Sequence, residues 1–241
     1  MNTQYLQRCR NTELQTQLSM TVNVVFVLDR TGSMRRFAAQ AKKRVKDMYS
    51  SIQRKCEEKG RMVSALNACI ADFGDVNYEK DWISLSPVFH LSEGSEQVEA
   101  FRKYVDGIRI HGGGGDGPES GLEALSAVIH SYDLSSDADR TRTVYVILTD
   151  APAHPLHSAA NCGWYPAYAE QDLAGLYAAW LDVQGRNSPR SKRMVIFAPD
   201  VYPWREISDT WVQVNFRESV AGAGLGDVDM DSIFSFIADS I

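Results

Sequence analysis

The chain has 241 residues, 44% of them hydrophobic and 23% charged, which is the composition of an ordinary water-soluble protein long enough to bury a full core. Acidic residues outnumber basic ones 31 to 25 for a net charge of -6, so no nucleic-acid partner is expected; phosphate binding needs clustered Lys and Arg. The nearest basic run, "KKRVK" from Lys42 to Lys46, sits within a helical pattern and reads as a solvated face.

The first residues, 1–20, read as a polar extension without the apolar core of a signal peptide, followed by one domain over 21–241. No stretch approaches the length of a membrane span, so no membrane partner is expected and the cytoplasm is the expected compartment. Cys9, Cys56, Cys69 and Cys162 form no CxxC pair and are expected to be reduced thiols.

"VNVVFVL", Val22 to Leu28, is an almost continuous β-branched run, as in a parallel strand covered on both faces. After a polar turn, Phe37, Ala41, Val45, Met48 and Ile52 recur at helical spacing, and Gly60 ends that helix as a C-terminal cap. "RMVSALNACIADFGD" predicts a strand to about Phe73, and "DWISLSPVFHL" an edge strand interrupted by Pro87. "SEQVEAFRKYVDGI" is an amphipathic helix, and "PESGLEALSAVIHSY" a second, with Pro118 near its first turn. "TVYVILTD", "RMVIFAPD" and "WVQVNF" read as strands, with "AEQDLAGLYAAWLDVQ" and "DMDSIFSFIADSI" as helices.

This alternation predicts an α/β fold, a doubly wound and mostly parallel sheet with helices on both faces. Ligands of such sheets bind outside the carboxyl ends of the strands. Three polar loops fall there. "DRTGSM" offers Asp29, Thr31 and Ser33; "GGGGDGPES" offers Asp116 and Glu119; "LTDAPAHP" offers Asp150. Carboxylates and hydroxyls from neighbouring loops are an all-oxygen donor set suited to a hard divalent cation. The four glycines carry neither the Gly-Lys-Ser/Thr ending nor the Gly-x-Gly-x-x-Gly opening of a phosphate loop; they are expected to let the backbone pass close to the "DRTGS" turn.

"DRTGS" resembles the Asp-x-Ser/Thr-x-Ser loop of von Willebrand factor A (VWA) domains, whose metal-ion-dependent adhesion site (MIDAS) lies at the top of a doubly wound, Rossmann-like sheet. "DGPESGLEAL" and "TDAPAH" are similar to the Asp-x-Pro-Glu and Thr-Asp-Ala-x-x-His segments of the VWA-like domains found in integrin β chains. The "DxTGSM" form also resembles intracellular VWA domains, among them those attached to alpha-kinases and those of bacterial stress and defence operons. The resemblance implies direct metal ligation by Thr31, Ser33 and Glu119, with Asp29 and Asp150 acting directly or through water. Magnesium is the implied ion, with manganese or calcium as alternatives, and a partner protein's Asp or Glu is the implied ligand. Arg35 and Arg36 stand where integrin β domains carry the acids of an adjacent calcium site, and Gly114 stands where the opposite flanking site has Asn. Asp116 is therefore expected to support the centre from behind, as is His154.

Other chemistries stay open at this stage. His154, His157 and Cys162 are three potential zinc ligands with loose spacing and no fourth. Trp164 and Tyr165 read either as a partner-binding rim or as packing against the next helix. The expected function is a non-enzymatic, metal-dependent protein-binding module. A metal-dependent hydrolase using His154 as base, and a scaffold without metal, are the alternatives.

Overall fold

A computed structural model of the chain describes residues 20–113, 115–134, 140–159, 161–182 and 191–241. The extension up to residue 19 and Gly114 lie outside the described residues.

The β-branched run forms the central strand β1, Met20–Asp29, buried along nearly its whole length. Val22, Val24, Phe26 and Leu28 enter one core, while Val25 and Val27 enter another on the opposite face. This two-sided burial is what a continuous apolar run requires. On one side β1 pairs in parallel with β2, Ala65–Phe73. The expected edge strand beyond β2 is two short antiparallel pieces, β3, Ile83–Leu85, and β4, Phe89–His90, separated around Pro87. On the other side β1 pairs in parallel with β5, Arg140–Leu148, followed by β6, Lys192–Ala198, and β7, Val214–Glu218. The order of the seven-stranded sheet is β3-β2-β1-β5-β6-β7, with β4 also paired to β2.

One face is covered by α1, Arg35–Arg44, α2, Met48–Glu57, α3, Ser95–Gly107, and α7, Met230–Ser240. The other is covered by α4, Gly121–Ser131, α5, Leu173–Leu181, and α6, Trp204–Thr210. The architecture is the doubly wound α/β fold expected from the sequence. No helix among the described residues is long and apolar enough to cross a membrane.

Three local outcomes differ from the expected elements. The long first helix is two α segments joined by a 3-10 turn at Val45–Asp47. Residues three apart align in a 3-10 turn, and Val45 and Met48 are thereby both buried. The helix expected from Pro118 begins at Gly121, because Glu119 is drawn into a parallel bridge with Ala153. Helix α6 has no counterpart among the expected elements; its Trp204 is fully buried and its indole N–H donates to the Ala151 carbonyl at 2.9 Å.

The chain passes from β1 to β2 on one side and later to β5 on the other. Strand order therefore reverses at β1, and the crevice outside its carboxyl end is where such folds bind ligands.

Candidate metal centre

Asp29 is the last residue of β1 and has no exposed surface. Its Oδ1 accepts the Thr31 backbone N–H at 2.8 Å and the Thr31 hydroxyl at 2.6 Å, and its Oδ2 accepts the Thr149 hydroxyl at 2.7 Å. The two hydroxyls of the turn lie near each other, with Thr31 Oγ1 and Ser33 Oγ 3.4 Å apart. Ser33 donates to Asp150 Oδ1 at 2.7 Å, and Asp150 Oδ2 accepts the Gly224 backbone N–H at 2.7 Å. Thr31 bound to Asp29 and Ser33 bound to Asp150 thus form two hydrogen-bonded pairs, side by side across the ends of β1 and β5. Burial pushes the Asp29 carboxyl up to about 6 despite its hydrogen bonds, with the nearby Asp150 charge adding to the rise. Ser33 is the exposed residue among these four.

Glu119 faces the same place from the segment before α4. Its backbone N–H donates to the Pro152 carbonyl at 2.9 Å, and its carbonyl accepts the His154 N–H at 3.0 Å, which ties it to the loop after β5. Its side chain is buried and Oε2 has no hydrogen-bond partner. Burial, followed by the negative charges of Asp29, Asp75 and Asp116, pushes this carboxyl up to about 9.

The glycines explain how the turn and Glu119 come so close. A Cβ on Gly113 would lie 2.2 Å from Glu119 Oε1 and 3.4 Å from the Thr31 methyl. A Cβ on Gly32 would meet Gly112 Cα at 3.7 Å. A further glycine matters at the far side. Gly224, in the loop between β7 and α7, has φ +62, and a Cβ there would lie 2.2 Å from the Ser33 carbonyl oxygen. Sequence reasoning missed this loop and Thr149. The spacing of Gly222, Gly224 and Gly226 was a visible sign of special backbone, but nothing local tied it to Asp150.

A second acidic group lies beside the first. Asp75, Asp116 and His154 bring one ligand atom each within 4.8 Å of one another and could hold a metal ion. Asp75, also missed from sequence, sits just past the carboxyl end of β2 and has no exposed surface. Its Oδ1 accepts the Asn77 N–H at 2.8 Å and the Ser120 hydroxyl at 3.3 Å, and its Oδ2 lies 3.3 Å from His154 Nε2. His154 Nε2 also lies 3.7 Å from exposed Asp116.

Among the described residues, His154, His157 and Cys162 are not brought together as a ligand group. The Cys162 thiol points to the Val76 carbonyl at 3.7 Å, while His154 is bound to Asp75. Trp164 is 41% exposed and donates its indole N–H to the Val76 carbonyl at 2.9 Å, so it packs over the loop after β2. Tyr165 is turned inward: its hydroxyl donates to buried Glu123 at 2.9 Å and accepts the His157 N–H at 2.7 Å. Arg35 and Arg36 are exposed at the start of α1.

No family model matches the chain, and no curated protein matches it. Solved structures do share its fold. The pilus adhesin SpaC from Lactobacillus rhamnosus GG is 14% identical with a TM-score of 0.52, over 93% of this chain and 31% of that chain. Proximal thread matrix protein 1 from the mussel byssus is 9% identical with a TM-score of 0.51, over 91% of this chain and 47% of that chain. The chain therefore spans less than half the length of each, and at these identities the likeness extends to fold alone.

The donor set fits a hard cation: two hydroxyls, two carboxylates behind them, and a third carboxylate with an unpaired buried oxygen. A buried carboxyl held neutral for want of a counter-charge is the arrangement that a divalent ion would relieve.

Proposed function

We propose that this chain is a VWA-type module of the integrin-β-like kind, holding one magnesium ion in a MIDAS and binding an acidic side chain of a partner protein. Thr31, Ser33 and Glu119 would hold the ion, with Asp29 and Asp150 behind them. Manganese or calcium can take the same oxygen set. The observation that carries the reading is the Glu119 carboxyl, buried with Oε2 unpaired and so near the turn that a Cβ on Gly113 would meet both its Oε1 and the Thr31 methyl.

The cation would supply an electrophilic position for a partner's Asp or Glu. The protein's own groups prepare that position. Asp29 and Thr149 fix the Thr31 hydroxyl, and Asp150, itself held by Gly224, fixes that of Ser33. The exposure of Ser33 leaves the approach open on its side. A metal-dependent hydrolase is the alternative, with His154, hydrogen-bonded to Asp75, as its base. The free thiols Cys56, Cys69 and Cys162 accord with a reducing compartment, and the cytoplasm is the proposed location.

The test is the melting temperature of the full chain with magnesium, manganese or EDTA, alongside metal analysis of the purified protein. A cation-dependent rise that Glu119→Gln abolishes is expected. Absence of any shift, with no metal retained by the wild type, overturns the reading; metal-dependent phosphoester turnover would move it to a hydrolase.

A further inference from the structure

The residue between Asp29 and Thr31 is an arginine, and it is buried. Burying a guanidinium is costly unless partners meet its donors. Here both ends of the fork are taken. Arg30 Nη1 donates to Asp72 Oδ1 at 2.9 Å and to Ser84 Oγ at 3.3 Å, while Nη2 donates to the Asp81 carbonyl and lies 3.7 Å from Glu79 Oε2. These acceptors come from β2, from β3 and from the loop that joins them. Asp72 and Glu79 offset the charge of Arg30, so the network supplies fixed geometry rather than attraction for a ligand.

The backbone of Arg30 is tied on both sides as well. Its N–H donates to the Phe73 carbonyl at 2.8 Å, and its carbonyl accepts the His111 N–H at 3.1 Å. The His111 ring lies 3.0 Å from Glu79, the acid that also faces the Arg30 fork. Through these contacts the turn and the start of the glycine segment share one anchor. That segment reaches the candidate ligands two residues later, where a Cβ on Gly113 would meet Glu119 Oε1 and the Thr31 methyl. On the other side of Arg30, Asp29 is held by the hydroxyl of Thr149, just past β5.

We propose that Arg30 is a positioning residue of the metal centre: its fork, locked into β2, β3 and the loop between them, aims the Thr31 hydroxyl and sets the path of the glycine segment past Glu119 without touching the ion. The proposal rests on the metal-centre reading. Arg30 directly precedes Thr31, so a shift in its backbone swings the hydroxyl that follows, and ligand sites tolerate displacements of only about 0.5 Å. Groups that orient ligands from behind typically carry about 10- to 100-fold of a site's metal affinity. Lysine is no substitute here. Its compact ammonium lacks the planar fork that meets acceptors on three elements at once.

The test is the magnesium concentration that gives half of the melting-temperature shift, measured on the full chain for the wild type, Arg30→Lys and the double variant Arg30→Met, Asp72→Asn. Arg30→Lys keeps a charge facing Asp72 and loses the fork; the double variant removes both charges of the pair, so neither is left buried alone. Both should need at least about tenfold more magnesium. A pair that serves stability alone would lower the melting temperature in EDTA and leave this midpoint where it is. The second readout needs no cation. In EDTA, amide hydrogen exchange at Thr31 and His111 should quicken in both variants at least about tenfold relative to the Val25 amide of β1. An unchanged midpoint in either variant, or exchange that keeps its wild-type ratio to Val25, overturns the proposal. A wild type that ignores magnesium removes the metal-centre reading and this one with it, whereas variants that respond as the wild type does remove this one alone.

Discussion

Glu119 and Asp75 are carboxylates on adjoining loops, 5% and 0% exposed, and their surroundings drive them in opposite directions. Burial raises Glu119 to about 9, and the acids around it push the same way. Burial also pushes Asp75 up, but His154, the Asn77 N–H and the Ser120 hydroxyl outweigh it and hold the group below its ordinary value. Depth alone does not decide the charge of a buried acid; the count of donors facing it does. Asp75 has three donors facing it, His154 among them, whereas Glu119 Oε2 has no partner, and that deficit marks the first cluster as the better candidate for an added ion.

The comparison breaks most visibly at His154. The hydrogen bond to Asp75, ahead of the Coulombic pull of Asp75 and Asp116, raises the imidazole above its ordinary value. Its contribution to stability is therefore complete below the unfolded-state value and is lost as pH rises through the higher folded value. His154→Ala leaves Asp75 buried without its cation and should cost about 3 kcal/mol at pH 6, and less at pH 9, in urea denaturation. Equal cost at both pH values would show that His154 acts by packing alone.

Next in size is Gly224→Ala. The positive φ disfavours any Cβ, and this one would meet the Ser33 backbone, which cannot swing aside. A loss of about 2 kcal/mol is expected, with a weaker cation response as the Gly224 N–H is drawn from Asp150. A loss of stability with the full cation response kept would separate this loop from the centre.

Glu119→Gln should go the other way. Between about 4.5 and about 9 the folded metal-free protein holds a proton on Glu119 that the unfolded chain has released. Its stability therefore falls as pH rises across that window, and the glutamine variant should lose this slope. At pH 8 in EDTA the variant is expected to be more stable by about 1 kcal/mol and to ignore magnesium. The wild-type magnesium shift should grow over the same window, because the carboxyl must release its proton to bind an ion.

The fold was legible because its signals are local. β1 and β5 announce themselves as β-branched runs, and α3 and α7 by their spacing. The turn residues Asp29, Thr31 and Ser33 and the acid Asp150 were visible because the carboxyl ends of buried strands are where ligands bind in such sheets. What stayed hidden depends on contacts distant in sequence. Thr149 meets Asp29 across 120 positions, Gly224 meets Asp150 across 74, and His154 meets Asp75 across 79. Tyr165 could be seen as an aromatic on a loop, but not as the partner of Glu123, since its direction is set by the packing of α4. The extended backbone of Glu119 escaped for the same reason: the strand-like bridge to Ala153 overrides the helical pattern that follows it.

The smallest effect is expected at Gly113, and it isolates position from charge. Unlike Gly224, the residue has no positive φ, so alanine adopts its backbone without strain and loses less entropy on folding. The one severe contact is with Glu119 Oε1, the far end of a side chain that can rotate. Gly113→Ala should therefore leave stability in EDTA within about 0.5 kcal/mol of the wild type while moving the Glu119 carboxyl from its present position. Its magnesium-dependent melting shift should shrink toward that of Glu119→Gln, although every proposed ligand is still present. An unchanged shift would mean that the glycine run serves only to shape the turn, and that the ion tolerates Glu119 in more than one position.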